Sequence, residues 1–189
     1  SYCASAARIA QPMVEADEAL AVLPASYGVE VVDRMLDQFD SLVLLKIKPM
    51  LDELLDLLER GVLTGLALNG AGAVHDLELA LFGQTSEDVD SALDEGSFGF
   101  AAETGAALNE AVRLGEAREQ GFGEAVGAYL DEARAPHREL SVLHAAFRLG
   151  VPATVHVALG ADIVHQHSSA DGAAIGAASM RDFRVLCEE

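Results

Sequence analysis

The sequence predicts an α/β fold: a Rossmann-like, mostly parallel sheet of about four or five strands flanked by helices, with an extra alanine-rich helical segment. Three observations carry this expectation. Short apolar runs of strand length alternate with longer stretches whose apolar residues recur at helical spacing. Asn69-Gly70-Ala71-Gly72 makes a tight glycine turn between one such run and the next helical pattern. A 189-residue chain with 51% hydrophobic residues can bury roughly 70% of its unfolded surface. That excludes intrinsic disorder and argues for one domain over residues 1–189.

In chain order, residues 2–10 form an alanine-rich helical pattern stopped at Gln11-Pro12, because proline disfavours helical geometry in the residue before it. Residues 20–23 are a brief strand bounded by Pro24. Val31, Val32, Met35, Leu36 and Phe39 then recur at helical spacing, and residues 42–47 read as a buried strand. Pro49 opens a helix whose stripe of Met50, Leu51, Leu54, Leu55 and Leu58 ends at Gly61. Residues 62–68 are the next strand, closed by the glycine turn before Val74, Leu77 and Leu81. Residues 41–82 thus spell a βαβ unit, which implies parallel strands and a right-handed crossover. Residues 85–88 suit the capped start of a short helix. Residues 98–119, 122–134 and 137–149 are helical, the last with Leu140, Leu143, His144 and Phe147 on one face, and together they form an insertion or a long crossover. A strand over residues 153–159 and a helix over residues 174–186 complete the pattern, and no internal repeat is evident.

Acidic residues outnumber basic ones 31 to 12, for a net charge of −19. Such a surface repels phosphate backbones and anionic lipid, so no nucleic acid and no membrane are expected as partners. The richest apolar stretch, residues 42–58, is broken by Lys46, Lys48, Asp52, Glu53 and Asp56 and falls short of the ~20 apolar residues that span a bilayer. Cys3 and Cys187 lie almost a chain length apart, which indicates neither a disulfide framework nor a cysteine zinc site and makes the cytoplasm the expected location. Residues 1–11 lack the regions of a signal peptide. The missing initiator Met suggests processing, truncation or engineering.

Three sets of residues invite a chemical reading. Glycines between a strand and a helix let backbone amides approach a phosphate at the helix N-terminus. Gly70-x-Gly72 is followed by His75 where a dinucleotide fingerprint has a third glycine, so a plain tight turn is the better reading. His156, His165 and His167, with Asp162 and Asp171 nearby, suit either a metal or a polar cleft. No further His or Cys stands at ligand spacing, so no metal is assigned. His144 reads as a satisfied core histidine. Asp171, in the loop Ser168-Ser169-Ala170-Asp171-Gly172, either caps the last helix or faces a ligand at the carboxyl end of strand 153–159. Glu15, Asp17 and Glu18 are a solvated acidic turn. No G-x-S-x-G elbow exists, so no serine triad is argued.

Leu66-Ala67-Leu68-Asn69-Gly70-Ala71-Gly72 through Glu78, with Thr154-Val155-His156-Val157 and Asp162 through Gly176, resembles bacterial members of the deoxyhypusine synthase-like family. The likeness covers about residues 48–189. It implies a Rossmann-like fold, NAD binding, a polyamine substrate and usually a tetramer. Carried across by position, Gly70, Gly72, His75 and Asp76 would border the NAD site, while His156 and Asp171 would fall in the acidic cleft that receives the polyamine. The family's glutamate and imine-forming lysine are absent: residues 177–184 place alanine at the glutamate position, and no lysine follows Lys48. Arginine is no replacement, because an imine needs a neutral primary amine. The resemblance therefore implies no catalytic residue and no aminobutyl transfer.

Residues 1–12, 18–25 and 39–46 look like the middle of a cobalamin-pathway precorrin-2 methyltransferase, which binds S-adenosylmethionine between two domains. The first of those domains has no counterpart, so half the methyl-donor site is missing. Two likenesses meeting near residues 45–50 suggest a chimera of equivalent α/β fragments, in that sense a de novo protein. The expected function is a recombined or designed scaffold with incomplete ancestral sites, no specific catalytic activity and no required cofactor. The alternative is a deoxyhypusine synthase-like protein that binds NAD and a small cationic ligand such as a polyamine, as a homo-oligomer.

Overall fold

A computed structural model describes residues 20–24, 29–39, 41–45, 50–85 and 102–188. The helix expected over residues 2–10, the acidic turn at Glu15 to Glu18 and, beyond Thr85, the capped helix start over residues 85–88 lie outside the described residues. The chain divides between Leu54 and Leu55 into two compact units, each taken by itself below.

In the first unit, β1 (Leu20–Pro24) and β2 (Ser41–Leu45) pair in parallel from Leu20 opposite Ser41 to Pro24 opposite Leu45. Parallel neighbours need a crossover, and α1 (Val29–Leu36) lies between them in sequence. Its buried residue Val32 packs with Met50, Leu36 and Leu42 in a small core. The helix α2 (Leu51–Glu59) spans the division and ends in a turn at Gly61, whose left-handed φ of 68° favours glycine. The Val62 and Leu63 amides both turn back to the Leu57 carbonyl. That closure explains why the strand expected from residue 62 begins only at Leu66.

The second unit holds β3 (Leu66–Asn69), α3 (Gly70–Phe82), α4 (Ala102–Ala117), α5 (Phe122–Glu132), α6 (Val142–Leu149), β4 (Ala153–His156) and α7 (Gly172–Glu188). Short 3-10 turns stand at Arg138–Leu140 and Ile163–Gln166. β3 and β4 are parallel, with Leu66 opposite Ala153 and Asn69 opposite His156, so α3 to α6 lie within one long crossover. Among the described residues β2 pairs with β1 and β3 with β4, so the strand–helix–strand unit expected over residues 41–82 is not formed by β2, α2 and β3; the consecutive parallel pair with a helix between is β1, α1 and β2. The molecule is a helix-rich α/β protein.

Two boundaries move for local reasons. The helix expected over residues 137–149 is interrupted at Ser141, whose extended backbone and side chain cap α6 by accepting from the His144 amide. The strand expected to reach residue 159 ends at His156, because the amides of Ala161 and Asp162 both bond back to the Ala158 carbonyl.

The core of this unit joins Leu77 of α3, Leu108 and Val112 of α4, Val126 and Leu130 of α5 and Leu143 of α6 to β4 and α7. Its small residues permit close approach: Gly123 of α5 lies so near the Ala153 carbonyl that a Cβ would overlap it. Among the described residues no helix is long and apolar enough to cross a membrane.

Candidate functional site

Asn69 and His156 end the two parallel strands of the second unit at matching register. The carboxyl end of such strands is where open α/β sheets place ligands. From Asn69 the chain enters α3 at once, and the Asn69 side-chain oxygen accepts the Gly72 amide at 2.8 Å. Gly70 is buried, and the space a side chain would take there is filled by the carboxylate of Asp162. Asp162 is held in place by the Ala158 amide, which donates to its Oδ2 at 2.9 Å. The positive end of α3 thus meets two oxygens of its own chain.

His156 is half-buried. Its Nε2 lies 2.9 Å from Thr154 Oγ1, which in turn donates to the Leu66 carbonyl at 3.3 Å. Burial holds the His156 pKa below its ordinary value, which favours the neutral ring. The edge therefore brings together Asn69, Gly70, Gly72, Asp162 and His156.

The other candidates are used elsewhere. Asp76 is 5% exposed and aims its carboxylate at the start of α6. There it accepts the Ser141 hydroxyl at 2.5 Å, the Val142 amide at 2.7 Å and the Leu143 amide at 3.3 Å. Burial raises its pKa to about 6, against the lowering by those three bonds. Asp171 is exposed and caps α7, its Oδ1 accepting the amides of Ala173 and Ala174. His75 is exposed on α3, with Nδ1 3.4 Å from Oε2 of Glu78; that buried carboxylate also accepts the Thr104 hydroxyl at 3.1 Å. His165 accepts the Gly160 amide, and His167 lies 2.7 Å from Ser169 Oγ, so both order their own loop. Buried His144 places Nε2 3.2 Å from Asp131 Oδ1. Among the described residues no group of three or more His, Cys, Asp or Glu is arranged to hold a metal ion.

One acidic residue escaped the sequence reading. Asp182 of α7 is 1% exposed. Its Oδ2 accepts the Val155 amide of β4 at 2.6 Å and the Gly123 amide of α5 at 3.0 Å. Burial raises its pKa to about 6, opposed by the backbone bonds it accepts. A signal existed: Asp182 follows Ile175 and Ala178 on one helical face, so a charge stands in an apolar stripe.

The edge at Asn69, His156 and Asp162 offers oxygen acceptors and a neutral imidazole. That chemistry suits hydrogen-bond donors and cations better than phosphates. Comparison with protein-family models, with characterised proteins and with solved structures finds no match for this chain.

Proposed function

We propose that this chain is a Rossmann-like α/β scaffold of recombined or designed origin, with one mostly parallel sheet of about four or five strands and no specific catalytic activity. What supports the fold is that the described strands pair in parallel, β1 with β2 and β3 with β4, in two two-stranded sheets. The functional part rests on the Asp162 carboxylate packed against Gly70. A pyrophosphate at the glycine turn would meet that negative charge where a dinucleotide site offers free amides. Two like charges about 4 Å apart repel by about 4 kcal/mol at an effective dielectric of 20, more than the helix end returns.

The test is a set of thermal melts with millimolar NAD, S-adenosylmethionine and spermidine. The scaffold reading expects no saturable shift with any of them. A ligand present at a hundred times its Kd adds about 2.7 kcal/mol, a rise of several degrees. Such a rise with NAD would overturn the reading.

A second reading, a deoxyhypusine synthase-like protein keeping a polyamine at the same edge, is favoured by Asp162 beside Gly70 and by the net charge of −19. It expects a saturable shift with spermidine that Asp162→Asn removes. The same carboxylate counts against its NAD half.

A further inference from the structure

We propose that a groove in the second unit, bounded by the N-terminus of α5, by α6, by residues 150–153 and by α7, binds a small protonated amine carrying a hydrophobic tail. The groove encloses about 350 Å³, within the range of small-molecule sites. Leu143, Ala146 and Phe147 of α6, Val151 and Pro152 of the following turn, and Val185 of α7 form an apolar wall. Gly150 lines it with nothing near its Cβ position, which keeps the space open there, whereas Gly121 makes room for the Asp182 carboxylate. Phe147 remains 37% exposed, so a tail laid on the wall would cover apolar surface now in water.

The polar end has one sign. The charged residues lining the groove are Glu124 and Asp182, both acidic. Asp182 has its Oδ2 committed to backbone amides and adds negative potential above its raised pKa of about 6, whereas exposed Glu124 supplies a carboxylate that an incoming cation can reach. Glu124 Oε1 already accepts the Gln120 side-chain amide at 3.0 Å. That bond fixes which way the Gln120 amide faces and leaves Gln120 Oε1 buried with no partner among the described residues. The preference for a cation rests on the two lining carboxylates, to which an ammonium brings three donors. Arg181 donates to the Gln120 backbone carbonyl at 3.4 Å and does not line the groove. A carboxylate ligand would be repelled here, and an alcohol would forgo the ion pair.

The experiment is a titration of the ¹⁵N-labelled full chain in 150 mM salt with hexylamine, hexanol, hexanoate and methylamine, read from amide shifts. The expected result is saturable millimolar binding of hexylamine, with the largest shifts at Gly121, Gly150, Val151 and Ala153. Hexanol should bind severalfold more weakly, hexanoate and methylamine not measurably. Glu124→Gln should weaken hexylamine about threefold to fivefold with an unchanged melting temperature. Equal binding of hexanol and hexylamine, or small shifts spread over the acidic surface, would overturn the proposal. A spermidine response at Asn69 and His156 would bear on the carboxyl edge alone, so the two ideas fail separately.

Discussion

Ser141 donates its hydroxyl to Asp76, which lies 65 positions earlier in the chain, while the same oxygen accepts the His144 amide. Asp76 also takes the Val142 and Leu143 amides. A local cap and a distant carboxylate thus share the first turn of α6 and fasten α3 to it. Asp76→Ala leaves three buried donors without an acceptor, each worth about 1–3 kcal/mol when stranded. Urea unfolding at pH 5 should show a loss of about 2–4 kcal/mol. A loss below about 0.5 kcal/mol, the scatter of ordinary surface substitutions, would show that the carboxylate does not hold the helix.

The pH dependence of stability follows from Asp76 and Asp182, both raised from 3.8 to about 6 by burial. Between those values the folded chain keeps protons that the unfolded chain has released. Their contribution is therefore full below pH 3.8 and is lost as pH rises through about 6. For Asp76 the displacement is worth on the order of 3 kcal/mol. His156 opposes it: its pKa is lowered by burial from 6.5, so the unfolded chain binds that proton first as pH falls. Two carboxylates outweigh one half-buried ring. Urea unfolding should give greater stability at pH 5 than at pH 7, and the double variant Asp76→Asn, Asp182→Asn should flatten the difference. An equal slope in the variant would assign the effect to the general relief of a −19 charge.

Periodicity made most elements of the second unit legible, because Val74, Leu77, Leu108, Val112 and Leu143 stand at helical spacing and are all buried. What it missed was decided by hydrogen bonds between distant residues. Val62 has strand character, yet its amide is spent on the Leu57 carbonyl. Resemblance places Asp76 beside a cofactor and leaves Asp182 unremarked, and their structural roles show only in the amides they accept, at Val142 and Val155. At the carboxyl edge the glycine turn was visible, whereas its closure by Asp162 depends on where the Ala158–Asp162 turn folds back.

Asp171 separates capping from ligand binding. Its Oδ1 takes two amides in the first turn of α7, those of Ala173 and Ala174, and loss of such a cap costs about 0.5–2 kcal/mol. Asp171→Ala should lower the melting temperature by a few degrees, while Asp171→Ser, which restores an N-cap acceptor, should recover most of it. Were any spermidine response lost in the alanine variant and not regained with serine, a ligand role would be indicated instead.

The final prediction sets two helical glycines against each other. Alanine is a better helix former than glycine by about 1 kcal/mol, so propensity alone favours either replacement. At Gly176 of α7 a Cβ meets nothing within 4 Å, and Gly176→Ala should raise stability by up to about 1 kcal/mol. At Gly123 of α5 the new methyl would enter the backbone carbonyl of Ala153, in the strand whose Val155 amide is bonded to Asp182. That carbonyl cannot rotate away without disturbing β4, and overpacking of this kind costs about 1–3 kcal/mol. Gly123→Ala should therefore destabilise despite its propensity gain. Chemical denaturation of the two single variants decides it, and a Gly123→Ala protein as stable as the parent would mean that α5 does not approach β4 as closely as described.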